Sequence, residues 1–511
     1  MFISCFGVSL TMARKIVSSV LISGIIVTMV IFAGTLPATA ASDARLEGFD
    51  AYIEKMLADY EVPGAVVGIV EGDRVIYLKG FGVREIGEPG TVDENTRFQV
   101  ASVTKWFTGA AIGTIVDEGK LSWDTPVVEY IPEFALKDEY AGRYATLRDL
   151  LAHRAGLAPY GGELLGRIGY SNEEILHRTR YLEPAASFRE RYLYSNVGYF
   201  VAGEVAARID NRSWEDLTRE RILVPLGMTR SGTTHETMYL DSNHASGHAG
   251  YGLDLETIPL ESASMPAAGQ IVSTGADMTR WVRMLVGNGT FEGEQILAPA
   301  TLMEIMKPSM VSGPGGPLGD PNGATGLGCD SYRFLEYRVV EKNGALDGVR
   351  SIVAIVPKEQ IGIVVIANKQ LTAFPEAVRC EFLERFLGRA GVDLQEKTLA
   401  SQKIWDSLIL SPDIPADAHP QTRDSADFAG TYMGSLFGDL RVIAAGDVLT
   451  VEIGRVGFPG NLTHVTDNVF WLSWPNPDDQ PGYITFTTGP DGSVNGIDSK
   501  TFGRFTRTGQ A

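Results

Sequence analysis

The chain has 511 residues, 44% hydrophobic and 21% charged, with a formal net charge of -19 at pH 7. That length exceeds one ordinary compact unit and allows a large core, and the composition is globular rather than disordered. The acidic excess repels phosphate backbones and anionic lipid surfaces, which excludes nucleic acid as a natural partner and suits a soluble enzyme of small molecules or short peptides.

Residues 1–40 read as an export signal: Arg14 and Lys15 precede the apolar run Ile16 to Gly34, and Ala38-Thr39-Ala40 offers small residues for cleavage. Met12 opens a signal of more ordinary length. The run is also nearly long enough to span a bilayer, so an uncleaved amino-terminal anchor is the competing reading and the only membrane contact expected. Either way the working part is exported, to the periplasm or beyond the cell. Removing the segment makes the chain two charges more negative and leaves only Cys329 and Cys380, too few for a disulfide framework.

Next, Ala65 to Val70 and Arg74 to Lys79 flank Gly72-Asp73 as a β-hairpin. Val103 to Asp117 is apolar nearly all round and stops at Gly119, as a buried helix does. Val197 to Ala207, Trp214 to Leu223 and Asp277 to Leu285 are further helices, so the middle of the chain is mostly α. Met310 to Gly328, dense in Gly and Pro, reads as a mobile loop. Ser351 to Val356 and Ile361 to Ala367 form a second hairpin, entered by the segment that carries Lys342, and consecutive hairpins imply an antiparallel sheet. Pro412, Pro415 and Pro420 mark a linker, after which alternating runs such as Leu449, Val451 and Ile453 describe an all-β module. The organisation expected is a signal peptide over 1–40, a catalytic unit over 41–395, a linker over 396–423 and a β domain over 424–511.

Three patches carry chemistry within this frame. Ser102 and Lys105 stand three apart on one helix, so the amine reaches the hydroxyl, and the Ser102 amide lies at the positive helix end where an oxyanion is stabilised. Tyr194-Ser195-Asn196 supplies a phenol that can relay a proton and an amide that can orient Lys105 and the substrate. Lys342-Asn343-Gly344-Ala345 leads into the second hairpin; its glycine admits a substrate close to the backbone, and Ala345 is assigned the second oxyanion amide. A serine needs a base. Burial of Lys105 beside a second lysine supplies one route and Tyr194 the other, and both stay open here. His153 reads as a framework residue. His244 and His248 have the spacing of a metal pair but lie in a polar loop without a third ligand, so no metal is expected.

With Phe98 to Lys105, Gly119 to Val127, Leu150 to Leu157, Pro225 to Met228 and Lys342 to Asn368 in view, the chain resembles the penicillin-recognising serine hydrolases over about residues 50 to 390. The branch resembled holds class C β-lactamases, D-Ala-D-Ala carboxypeptidases and related esterases and D-amino-acid peptidases. The resemblance implies an α/β (α+β) fold: a five-stranded antiparallel sheet flanked by helices, plus an all-α subdomain, followed by a small all-β barrel-like domain similar to lipocalin-like modules. It also implies an acyl-enzyme on Ser102, a small amide, lactam or ester substrate, and no cofactor. Asn343 stands where lactamases and carboxypeptidases have Thr or Ser, which weighs against efficient β-lactam recognition. Two functions of different class follow: a hydrolase that turns over, and a sensor or scaffold that holds its acyl group.

Overall fold

A computed structural model describes residues 43–250, 254–407, 415, 417–475 and 481–509. The expected export segment lies outside these residues. Among the described residues no helix is long and apolar enough to cross a membrane.

The two predicted hairpins are present as β1 (Gly64–Glu71) with β2 (Arg74–Gly82) and β7 (Val349–Val356) with β8 (Ile361–Ala367). They join through β1 and β8, which pair antiparallel with Val66 opposite Ile366. Between them in sequence come β3 (Met310–Val311), β4 (Ala324–Thr325), β5 (Asp330–Phe334) and β6 (Tyr337–Leu346). The sheet order is β2-β1-β8-β7-β6-β5-β4-β3, antiparallel at every step.

Among the described residues the sheet therefore has eight strands, not five. The five expected are β2, β1, β8, β7 and β6; the other three lie in or just after the Gly/Pro-rich segment read as a loop. Two of them are only two residues long, too short to leave an alternation in the sequence.

Both faces of the sheet are covered, which is why β7 and β8 read as unbroken β-branched runs. Ile352, Ala354 and Val356 pack with Ile363 and Val365 under helices α1 (Phe49–Asp59) and α5 (Phe374–Leu387). Val353, Ile355, Val364 and Ile366 face the opposite core, beneath α4 (Gly275–Val286). There Trp281 stacks on Phe107 at 3.9 Å between centroids and meets Trp106 edge-on, which ties α2 (Thr104–Asp117) into the core. Further helices, including α3 (Asn196–Asp210), build the helical half. Cys329 and Cys380 are buried free thiols.

The segment expected as linker begins with helix α6 (Leu394–Ser407), whose Gln402 accepts from Ala373 N at 2.7 Å and donates to Leu371 O at 2.8 Å. Eight strands, the first Gly430–Gly434 and the last Gly503–Gly509, then close into a barrel. Leu449, Val451 and Ile453 point inward as their alternation predicts. Two barrel turns seat on residues 168–178: Arg178 donates to Ser435 O and Leu436 O at 2.9 and 2.7 Å, Tyr170 Oη to Phe437 O at 3.1 Å, and Arg455 N to Ile168 O at 2.9 Å.

Candidate active site

Ser102 sits in a tight turn, Ala101–Val103, that feeds α2, rather than in the helix proper. Ala101 holds a left-handed backbone, φ 50°, a costly conformation for a residue with a Cβ and one that recurs at functional turns. Neighbours pin it. Val100 N donates to Ile271 O at 2.9 Å, Ser351 Oγ donates to Val100 O at 2.7 Å, and Thr104 Oγ1 accepts from Ile271 N at 3.0 Å.

From the first turn of α2, Lys105 reaches back over the hydroxyl. Its side chain has no solvent exposure, and Nζ lies 3.0 Å from Ser102 Oγ and 2.8 Å from the Ala268 carbonyl of the short helix Pro266–Gly269. Burial, and then the charge of Lys342, hold its pKa well below the usual lysine value. A neutral amine fits both contacts: it donates to Ala268 O and accepts from the serine hydroxyl.

Tyr194 comes from the loop before α3, and its Oη lies 2.8 Å from Ser102 Oγ. His153 fixes that loop: Nδ1 accepts from Ser195 N at 3.0 Å, its own carbonyl accepts from Leu193 N at 2.8 Å, and its ring lies 4.7 Å from that of Tyr194. Burial, with Lys342 and Lys105 nearby, pushes the imidazole pKa far down, so it stays a neutral framework group. Burial drives the Tyr194 phenol upward against a smaller opposing effect of the Ser102 bond, so it stays protonated.

Lys342 projects from β6 with Nζ 2.9 Å from Asp330 Oδ2 and 5.5 Å from the centre of the Tyr194 ring. Burial pulls its pKa down, but Asp330 and then Tyr192 outweigh burial and raise it, so this lysine is the cation of the site. Two adjacent lysines thus take opposite protonation states because one has a carboxylate against it.

The same strand supplies an open edge. β5 reaches no further along β6 than Asp330, opposite Glu341, so among the described residues Lys342 through Leu346 have a strand neighbour only on the β7 side. Lys342 and Gly344 are buried while Asn343 and Ala345 alternate to the exposed face. A Cβ on Gly344 would stand 2.5 Å from Val100 O and 2.9 Å from Ala101 Cβ, so this edge touches the nucleophile turn. Ala345 is the next residue along it.

Ser102, Lys105, Tyr194 and Lys342 therefore converge as expected, and Asn343, Gly344 and Ala345 form the adjoining edge. Asn196 makes a different contact from the one expected with Lys105. Its Nδ2 donates to Glu163 Oε1 at 2.6 Å, its Oδ1 has no partner among the described residues, and the oxygen partners of Lys105 are Ser102 and Ala268. His248 is a framework residue, Nδ1 donating to Asn368 O and Nε2 accepting from Ile86 N, while His244 bonds Asp241 O. Among the described residues no cluster of His, Cys, Asp and Glu is placed to hold a metal.

Asp330, Glu163 and Ala268 escaped the sequence reading. Asp330 had a usable signal, because a hairpin turning at Leu335-Glu336 registers it beside Glu341 and hence next to Lys342. Glu163 and Ala268 had none, being brought in by tertiary packing alone.

A family model described as Beta-lactamase matches residues 49–383, and a domain of unknown function (DUF3471) matches residues 415–509. The chain is similar to the unguisins hydrolase ungD' of Aspergillus campestris, 24% identical over 430 residues, covering 79% of this chain and 78% of that one. It is also similar to penicillin-binding protein 4 of Amycolatopsis lactamdurans, 27% identical over 410 residues, 76% of this chain and 96% of that one. In fold it is similar to the octameric penicillin-binding protein homologue from Pyrococcus abyssi, with a TM-score of 0.60 at 22% identity, over 90% of this chain and 100% of that one.

Proposed function

The chain belongs to the beta-lactamase family, and from that premise we propose that it is an exported hydrolase of small amide, lactam or ester substrates working through an acyl-enzyme on Ser102. One observation carries the reading: a single hydroxyl oxygen lies 3.0 Å from a buried amine and 2.8 Å from a buried phenol.

In the acylation step the neutral Lys105 amine takes the Ser102 proton as Oγ attacks the carbonyl. The developing oxyanion is met by the Ser102 amide and by the amide of Ala345 on the open strand edge. Lys342, held charged by Asp330, adds a cation beside the Tyr194 ring and keeps the second lysine from competing for the same proton. Tyr194 gives its proton to the leaving group, and the Lys105 ammonium returns one to the phenolate. Water then enters by the reverse proton path. Asn196 holds Glu163 in place rather than Lys105.

Mass spectrometry and stopped-flow absorbance with p-nitrophenyl acetate and nitrocefin test this. A burst of product with a transient adduct on the Ser102 peptide, both lost in Ser102→Ala, is the expected result. A persistent adduct would instead fit the acyl-holding sensor, and absence of any adduct would end the acyl-enzyme reading.

A further inference from the structure

The barrel is filled by its own side chains, with the rings of Phe428, Phe470 and Phe486 lying 4.6 to 5.5 Å apart, and it meets the catalytic unit through its turns. The turn Gly454-Arg455-Val456 grips Ile168. Arg455 N donates to Ile168 O at 2.9 Å, a Cβ on Gly454 would lie 2.5 Å from Ile168 Cβ, and one on Gly169 would lie 2.7 Å from Val456 Cγ1. Tyr170 secures the same contact: its Oη donates to Phe437 O at 3.1 Å, and the guanidinium carbons of Arg178 and Arg455 lie 3.8 and 5.5 Å from its ring centre. Arg455 also pairs with Glu174.

The residue before Ile168 reaches toward the reacting carbonyl's binding edge. Arg167 ends the short helix Leu164–Arg167, its side chain 14% exposed, with Nη2 3.0 Å from Asp347 Oδ2 and Nη1 3.1 Å from Glu261 Oε2. Asp347, 5% exposed, and Gly348 make the two-residue turn between β6 and β7, where Leu346 pairs with Val349 and Gly348 takes φ 73°. Ala345, whose amide is assigned to the oxyanion, stands two residues before Asp347. This end of β6 needs holding, because its outer side carries no strand ladder among the described residues. Gly348 N donates to Gln370 Oε1 at 3.1 Å, and Arg167 fixes the carboxylate beside it. A charge-assisted pair with so little exposure is directional and weakly screened by salt. The helix that carries Arg167 is itself wedged, since a Cβ on Gly166 would lie 2.6 Å from Ser264 O.

We infer that Arg167 is a positioning residue for the oxyanion edge and that the barrel turn sets its place through Ile168, so that the barrel serves the chemistry at Ser102 as a brace on the turn Asp347-Gly348. The inference rests on the Ser102 and Ala345 reading above. Because the oxyanion forms only in the transition state, loosening the brace slows acylation and leaves ground-state binding alone.

The test uses the full chain and stopped-flow release of p-nitrophenol from p-nitrophenyl acetate, which gives the saturating acylation rate and the half-saturating concentration separately. Arg167→Met should lower the rate about 10- to 100-fold, the scale of a displaced oxyanion donor, with half-saturation within about threefold of wild type. Arg167→Lys, which keeps the charge but not the planar fork, should keep part of the rate. Gly454→Ala pushes the barrel turn off Ile168 and should lower the rate about 3- to 10-fold; added to Arg167→Met it should cost nothing further, since both act along one path. Hydrogen exchange of residues 342–349 reads the brace apart from the chemistry and should quicken in both single variants. Arg178→Ala, which strains no backbone, should move both readouts the same way by less, and it decides the matter should Gly454→Ala not fold.

An unchanged rate in Arg167→Met, a loss confined to half-saturation, or exchange at the wild-type speed would overturn the part given to Arg167. Losses that multiply in the double variant, or wild-type rate and exchange in Arg178→Ala, would overturn the part given to the barrel. Ester hydrolysis indifferent to Ser102→Ala would count against the acyl-enzyme reading instead, and hydrogen exchange would then decide the brace on its own.

Discussion

Gly344→Ala puts one methyl group where β6 touches the nucleophile turn. Gly344 is not among the left-handed glycines, so the alanine backbone is unstrained and only space is at issue. The new Cβ would lie 2.5 Å from Val100 O, 2.5 Å from Ser351 Oγ and 2.9 Å from Ala101 Cβ, against about 3.5 Å for relaxed contact. Val100 O is main chain and already accepts from Ser351 Oγ at 2.7 Å, so neither can swing aside independently. The strand edge must retreat by about 1 Å. Overpacking of this kind costs about 1 to 3 kcal/mol of stability, and a 1 Å displacement of a positioning element costs about 100-fold in rate. Stopped-flow release of p-nitrophenol reads the acylation rate, and urea unfolding reads the stability. Adding Ser351→Ala removes one of the three contacts and should restore part of the stability but little of the rate, because Val100 O remains. Acylation within about threefold of wild type, at an unchanged unfolding midpoint, would refute the claim that this edge forms the oxyanion wall.

Tyr194→Phe keeps the ring but removes the 2.8 Å contact to Ser102 Oγ, and acylation should slow about 100- to 10,000-fold with stability nearly unchanged; retention of the full rate would remove the phenol from the mechanism. Lys105 has a depressed pKa in the folded chain and an ordinary one when unfolded, so between those values the unfolded state binds more protons and stability rises with pH. Relative to Lys105→Met, the wild-type unfolding free energy should climb by about 1.4 kcal/mol per pH unit across that window, and a difference independent of pH in urea titrations would contradict a buried neutral amine. Arg178→Ala deletes two bonds to the barrel turn and a guanidinium stacked 3.8 Å over Tyr170. It should cost about 1 to 3 kcal/mol and expose the barrel to earlier proteolysis, whereas an unaltered digestion pattern would show that this contact does not seat the barrel.

Local spacing was enough for much of this protein. The hairpins around Gly72-Asp73 and Pro357 to Gln360, the buried helix from Thr104 to Asp117, the inward row Leu449, Val451 and Ile453, and the reach of Lys105 to Ser102 all follow from short-range periodicity, which the residues encode directly. Strands of two residues leave no such trace, so the two outermost strands of the sheet stayed hidden in a stretch of Gly and Pro. Only the folded chain decided that Asp330 would charge Lys342 while burial discharged Lys105, that Asn196 would turn to Glu163, and that Tyr160 would face Tyr194. Protonation and partner choice depend on which distant groups share a dry volume, and that is a property of the packed interior that no order of residues along the chain spells out.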